Sequence, residues 1–176
     1  MRNLFYIVIA LLLFSCGNKP QKKELTKEQW KKAQEDLVRA NHELKQEESD
    51  KIDAYAKNKG WNMTTSPSGL RFQVIKPGKG ANAKPGQFAK VDYKIWLTDG
   101  TLCYSSEKDG PKEFKVGEDY VESGLHEGIQ LMNTGSKAIF ILPTYLAHGL
   151  TGDNDKIPPL STVVYEVELL SLRDSK

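Results

Sequence analysis

The side chains that could do chemistry are few and scattered. The 176-residue chain has three histidines, His42, His126 and His148, and two cysteines, Cys16 and Cys103. The histidines show no metal-ligand spacing, so the sequence gives no metal site. Asp153-Asn154-Asp155 opens like a calcium loop, but the glycine and the closing glutamate of such a loop are missing from their places. Gly78-Lys79-Gly80 lacks the flanking spacing of a phosphate-binding loop. There is no Ser/His/Asp set and no paired-carboxylate constellation, and no residue pattern implies a cofactor. What remains is a group of aromatic residues in strand-like runs, Tyr93, Phe114 and Tyr165. Such rings are either ordinary core or the walls of an apolar pocket, and the pattern alone leaves both open.

The elements that must position these rings are mostly short strands. Leu70 to Ile75 and Phe88 to Leu97 alternate and are rich in β-branched and aromatic residues. Thr98-Asp99-Gly100 is hairpin chemistry, after which Leu102-Cys103-Tyr104 resumes the sheet. Glu127 to Met132 reads as one short helix closed by Asn133-Thr134-Gly135, followed by strands at Lys137–Leu142 and Val163–Leu172. Short strands with a single short helix imply an α+β domain, an antiparallel sheet folded over that helix.

Upstream lies a different texture. Thr26 with Gln29 is a capping box, and Trp30, Ala33, Leu37, Ala40 and Leu44 recur at helical spacing among charged neighbours. Ile52, Tyr55 and Ala56 prolong an apolar face, and Gly60 is a natural terminator. This narrow stripe suits either a homodimer seam or packing on the domain. The formal net charge of +2 and the interleaving of lysines with acids in the helical part argue against nucleic acid as a partner.

The first residues address the compartment. Met1-Arg2-Asn3 is a short positive head, and Leu4 to Phe14 is an apolar run too short to span a bilayer, which takes about 20 residues. That is the secretory pattern. Leu13-Phe14-Ser15-Cys16 resembles the lipobox of bacterial lipoproteins, in which the cysteine is acylated. The expected organisation is a lipoprotein signal peptide at 1–15, a spacer at 16–24, a helical region at 25–60 and a folded domain at 61–176. With Cys16 carrying lipid, Cys103 stays a free thiol, and no disulfide framework is possible.

Val91-Asp92-Tyr93, Asp99-Gly100, Ser105-Ser106, Phe114 with Gly117, Gly124 with Glu127-Gly128, Met132 with Gly135, and Leu146-Ala147-His148-Gly149 resemble, in order and spacing, the FKBP-type isomerase domain. Ile157-Pro158-Pro159 and Val163 to Leu170 continue the match, which runs from about Gly69 to Leu172. Val121 to Gly128 with Gly60-Trp61 is also similar to the gliding-motility-associated lipoprotein isomerases. The resemblance implies an FKBP-like bent antiparallel sheet wrapped around one short helix, preceded here by the helical segment. Carried over by position, Tyr93, Phe114, Val121, Leu125, Ile157 and Tyr165 would line an apolar pocket. The backbone N–H of Glu122 would be its donor, and Cys103, Tyr104 and His148 would form its rim.

The implied activity is peptidyl-prolyl cis-trans isomerisation, on proline-containing envelope proteins as they fold. Rotating a prolyl amide crosses a barrier of roughly 18–20 kcal/mol because the C–N bond must lose partial double-bond character. No covalent bond changes, so no nucleophile or metal is required. The twisted amide is less dipolar than the planar one, so an apolar pocket favours it relative to water. Acceleration by about 10⁴ needs only ~5–6 kcal/mol of differential stabilisation. This chain departs from the family pattern at four places. Leu125 stands where most members have a tryptophan floor, His148 where many have a tyrosine, and Cys103 and Tyr104 where an aromatic residue and an aspartate are common. Those departures suit slower turnover, and the alternatives are a catalytically weak proline-binding or chaperone module, or an accessory lipoprotein of a motility or secretion assembly. The expected location is lipid-anchored in the cell envelope, at the outer membrane facing the periplasm.

Overall fold

A computed structural model of the chain describes residues 25–174. The expected signal peptide, spacer and acylated Cys16 lie outside the described residues. Helix α1 (Lys27–Asn58) opens on the expected capping box. The N–H of Gln29 donates to Thr26 Oγ1 (3.2 Å), and the N–H of Thr26 donates to Gln29 Oε1 (2.9 Å). The helix passes through Ser49 without restarting. It ends where Gly60 (φ +70°) and Trp61 donate their N–H groups to the carbonyls of Lys57 and Ala56, a Schellman stop. No helix among the described residues is long and apolar enough to cross a membrane.

The chain divides after His42 into two units, the second being Glu43–Lys176. In the first, Trp30 and Leu37 are exposed. In the second, Ile52 and Ala56 are buried against Ile139, Ile141 and Val164. The expected boundary at Trp61 is therefore corrected: residues from Glu43 onward go with the domain, and Ile52 and Ala56 find their cover on the sheet.

The second unit holds one antiparallel sheet of seven strands. Its order is β1 (Thr64–Thr65), β2 (Arg71–Lys76), β8 (Lys137–Leu142), β9 (Val163–Arg173), β4 (Phe88–Leu97) and β5 (Leu102–Ser105), with β6 (Lys112–Lys115) also paired to β4. A separate ribbon joins β3 (Lys79–Asn82) to β7 (Asn133–Thr134). Helix α2 (Ser106–Asp109) is one turn, and α3 (Ser123–Gln130) is the expected short helix. Period-2 alternation sorts the side chains into two faces. Ala89, Val91, Val163, Tyr165, Val167 and Leu169 are buried in the main core with Leu125 and Ile129 of α3. Strand β8 is buried almost throughout because it is covered twice, with Ala138, Phe140 and Leu142 in the main core and Ile139 and Ile141 under the end of α1.

Helix α3 begins four residues before the expected Glu127 and ends two before Met132. Two glycines one turn apart let it lie directly on β8. A Cβ on Gly124 would stand 2.6 Å from Leu142 Cγ, and one on Gly128 would stand 2.7 Å from the Phe140 ring. Glycine costs a helix about 1 kcal/mol per residue relative to alanine, so this helix rests on its contacts rather than on its propensity.

Candidate functional site

A cleft of about 220 Å³ opens on the α3 side of the sheet. Strand β4 supplies Val91, Tyr93 and Ile95 at successive i+2 positions, and β9 supplies Tyr165 beside Ile95. Leu125, from the first turn of α3, closes the apolar part. Tyr104 of β5, His148 and Asp153 stand around it, and Lys112 and Glu122 complete the lining. The N–H of Tyr93 donates to Ser106 Oγ (3.2 Å), which ties the middle of β4 to the start of α2.

Of the residues expected at the site, Tyr93, Glu122, Leu125, His148, Tyr165 and Tyr104 are brought together around this cleft. Phe114 is not, which corrects the expectation of three shared rings. Lys112 and Phe114 share one face of β6, but Phe114 pairs with Ala89 while Lys112 pairs with Val91, two residues nearer the cleft. Phe114 is buried in the core, edge-on to His126 with ring centroids 5.7 Å apart. His126 is in turn fixed, not solvated: its Nδ1 accepts from Gly117 N–H (2.9 Å), so its Nε2 donates to the Asp119 carbonyl (2.9 Å). Val121 and Ile157 pack with the same core and do not line the hollow. Cys103 is also buried there instead of lying at the rim, because it is the extra residue of a β-bulge between Tyr104 and Leu102. Burial, then the charges of Asp153 and Asp99, push its thiol pKa up, the opposite of what a reactive cysteine needs.

Sequence reasoning missed Val91, Ile95, Lys112 and Asp153. The first two were legible, since they stand two residues either side of Tyr93 on an alternating strand. Asp153 belongs to no calcium loop but to a local clamp. Its Oδ1 accepts from the N–H groups of Asp155 (2.9 Å) and Ile157 (2.8 Å), and Tyr104 donates its hydroxyl to Oδ2 (2.5 Å). Burial works to raise the Asp153 pKa, but these hydrogen bonds outweigh it and hold the carboxyl below its ordinary range. The Tyr104 hydroxyl is pushed well up, by burial first and then by both aspartates.

Glu122 caps α3 with backbone only. Its carbonyl accepts from Leu125 (2.9 Å) and His126 (3.1 Å), while its own N–H meets no acceptor among the described residues. Its carboxylate, which makes no cap, turns into the cleft. Oε1 stands 2.8 Å from His148 Nε2, and Oε2 is buried with no partner among the described residues. Burial, next the charge of Glu122 and then a side-chain interaction with the same carboxyl group push the Tyr165 hydroxyl pKa far up; burial, Asp109 and Glu122 do the same more mildly for Tyr93.

A sheet packed on one short helix, with an aromatic cleft between them, is the arrangement that the resemblance to the FKBP-type isomerase domain implies. Residues 79–170 match the family model for the FKBP-type peptidyl-prolyl cis-trans isomerase. The chain belongs to that family. It is 41% identical to the FKBP-type peptidyl-prolyl cis-trans isomerase FkpA of Aeromonas hydrophila over 85% of this chain and 52% of that protein. It is 42% identical to the FKBP-type 22 kDa peptidyl-prolyl cis-trans isomerase of Escherichia coli over 69% of this chain and 57% of that one. The chain thus spans about half the length of the curated relatives it matches. Among solved structures, FkpA from Escherichia coli superposes with a TM-score of 0.61 at 27% identity, covering 99% of this chain and 83% of that one. AtFKBP13 gives 0.60 at 31% identity, covering 64% of this chain and 99% of that one.

Proposed function

We propose that this chain is a peptidyl-prolyl cis-trans isomerase that assists the folding of proline-containing envelope proteins. The observation that carries this is the convergence of Val91, Tyr93, Ile95, Leu125 and Tyr165 on one hollow beside the acceptor-free N–H of Glu122. Apolar walls would hold the proline ring and disfavour the planar, strongly dipolar amide. The Glu122 N–H would orient a substrate carbonyl as the C–N bond rotates. Phe114, Val121 and Ile157 support the walls from behind, and Tyr104 and His148 frame the entrance. The leucine floor offers less contact area than an indole, which suits a modest rate. Family membership supports the chemistry. In this reading the N-terminal run and Cys16 hold the chain by lipid at the outer membrane, facing the periplasm. The exposed Trp30, Leu37 and Leu44 on α1 suit pairing with a second copy. The test is isomerisation of a standard proline peptide by the full chain in detergent. A saturable rate is expected, faster than the uncatalysed exchange, which takes about tens to hundreds of seconds. A correctly folded protein whose rate equals the blank would overturn the enzyme reading and leave a binding module.

A further inference from the structure

The apolar cleft carries one feature that rotation of a prolyl amide does not call for, a buried and incompletely partnered carboxylate. The Glu122 side chain is only 9% exposed, yet Oε2 has no hydrogen-bond partner among the described residues. A buried ionised group is normally paired, since leaving it unpaired forfeits its hydration with no return. The nearest basic group is His148, whose Nε2 approaches Oε1 and leaves Oε2 free. Lys112 lines the same cleft but makes no ion pair with Glu122 among the described residues. Asp153 adds a second carboxylate to the lining, already engaged by Tyr104 and two backbone N–H groups. The Tyr165 hydroxyl faces the same carboxyl group from β9. A ligand entering here therefore meets a carboxyl oxygen, Oε2, that has no hydrogen-bond partner among the described residues, inside low-dielectric walls.

We propose that Glu122 is a specificity-determining residue that selects X–Pro segments bearing a lysine or arginine next to the proline, with the cationic side chain completing the coordination of Oε2. This rests on the reading of the cleft as a prolyl site and deepens it. An ammonium or guanidinium supplies what the oxygen lacks, a donor and a compensating charge, and such charge-assisted bonds are roughly twice as strong as neutral ones. An acidic neighbour of the proline faces repulsion from the same group.

The test uses the full chain in detergent with three peptides, Ala-Lys-Pro-Phe, Ala-Leu-Pro-Phe and Ala-Glu-Pro-Phe. Isomerisation is followed by NMR exchange, which needs no coupling protease with its own preferences. The expected kcat/KM is about tenfold higher for the lysine peptide than for the leucine peptide, and lowest for the glutamate peptide. In Glu122→Gln, which keeps the shape and removes the charge, the lysine-to-leucine ratio is expected to fall to within about twofold. The wild-type series stands without the variant: three rates within twofold of one another overturn the inference and leave the isomerase reading intact. A lysine preference that survives Glu122→Gln also overturns it. Where no peptide is accelerated, titration of the same peptides against the backbone amides of the cleft separates the two claims. Tighter binding of the lysine peptide, lost in Glu122→Gln, sustains the inference while the isomerase reading falls; equal binding ends both.

Discussion

The two faces of the sheet each bury a charged residue beside a helix, and they treat it in opposite ways. On the α1 face, Arg71 is 4% exposed and its guanidinium is engaged from end to end. Nε and Nη2 donate to the two oxygens of Asp53 (3.0 and 3.1 Å), Nη1 donates to the Gly69 carbonyl (2.8 Å), and Nη2 also reaches Ser49. Glu48 beside it gathers three donors on one oxygen, the N–H and hydroxyl of Thr144 (2.7 and 2.6 Å) and the hydroxyl of Thr162 (2.8 Å). On the α3 face, Glu122 is nearly as deep and has an oxygen to spare. A charge engaged at every nitrogen by its own chain holds the fold together; one left open is available to something from outside.

Mutation can break this contrast, and the largest effect belongs to the filled site. Arg71→Ala strands the Gly69 carbonyl and Ser49 and loosens the end of α1, so unfolding in urea should lose about 3 kcal/mol of stability. Glu122→Gln should do the reverse. Removing a buried charge that its own chain pairs incompletely should leave stability unchanged or raise it by about 1 kcal/mol, read from the same urea midpoints. If both variants were destabilised alike, Glu122 would be a structural charge like Arg71 and the contrast would collapse. The smallest effect concerns the rim. The folded pKa of Asp153 lies below its ordinary 3.8, so its clamp contributes stability that is present above that value and lost as pH falls through the lower, folded one. Protection of the Ile157 amide from hydrogen exchange, corrected for intrinsic rate, should be flat near neutrality and decline below about pH 4. Asp153→Asn should flatten that decline.

Much of this was legible in the residues, and the failures share a cause. Alternation located β2 and β4 to within a residue, and the strand-like runs at Lys137–Leu142 and Val163–Leu172 located β8 and β9 as closely. Helix α3 was placed late because Gly124 argues against a helix locally, and only its contact with β8 makes it fit. Phe114 was misplaced because an aromatic residue on the correct face of a strand still has to fall at the correct distance along it, and pairing with Ala89 is a fact of register, not of composition. Cys103 turned inward through a bulge that no periodicity signals. The Glu122 side chain was unreadable for a different reason. A carboxylate next to a helix start is normally read as a cap or as solvent-facing, and nothing in a single sequence says that it points into a hollow.

The way α1 ends has a practical consequence for anyone cutting this molecule. Trimming it back to Trp61, the expected start of the folded domain, would strip Ile52 and Ala56 from Ile139, Ile141 and Val164 and deprive Thr144 and Thr162 of Glu48. The bared strip of sheet would be sticky, inviting self-association and clouding of the preparation. A truncated version that keeps its solubility has to begin upstream of Glu48, because the last turns of α1 are the lid of a second core.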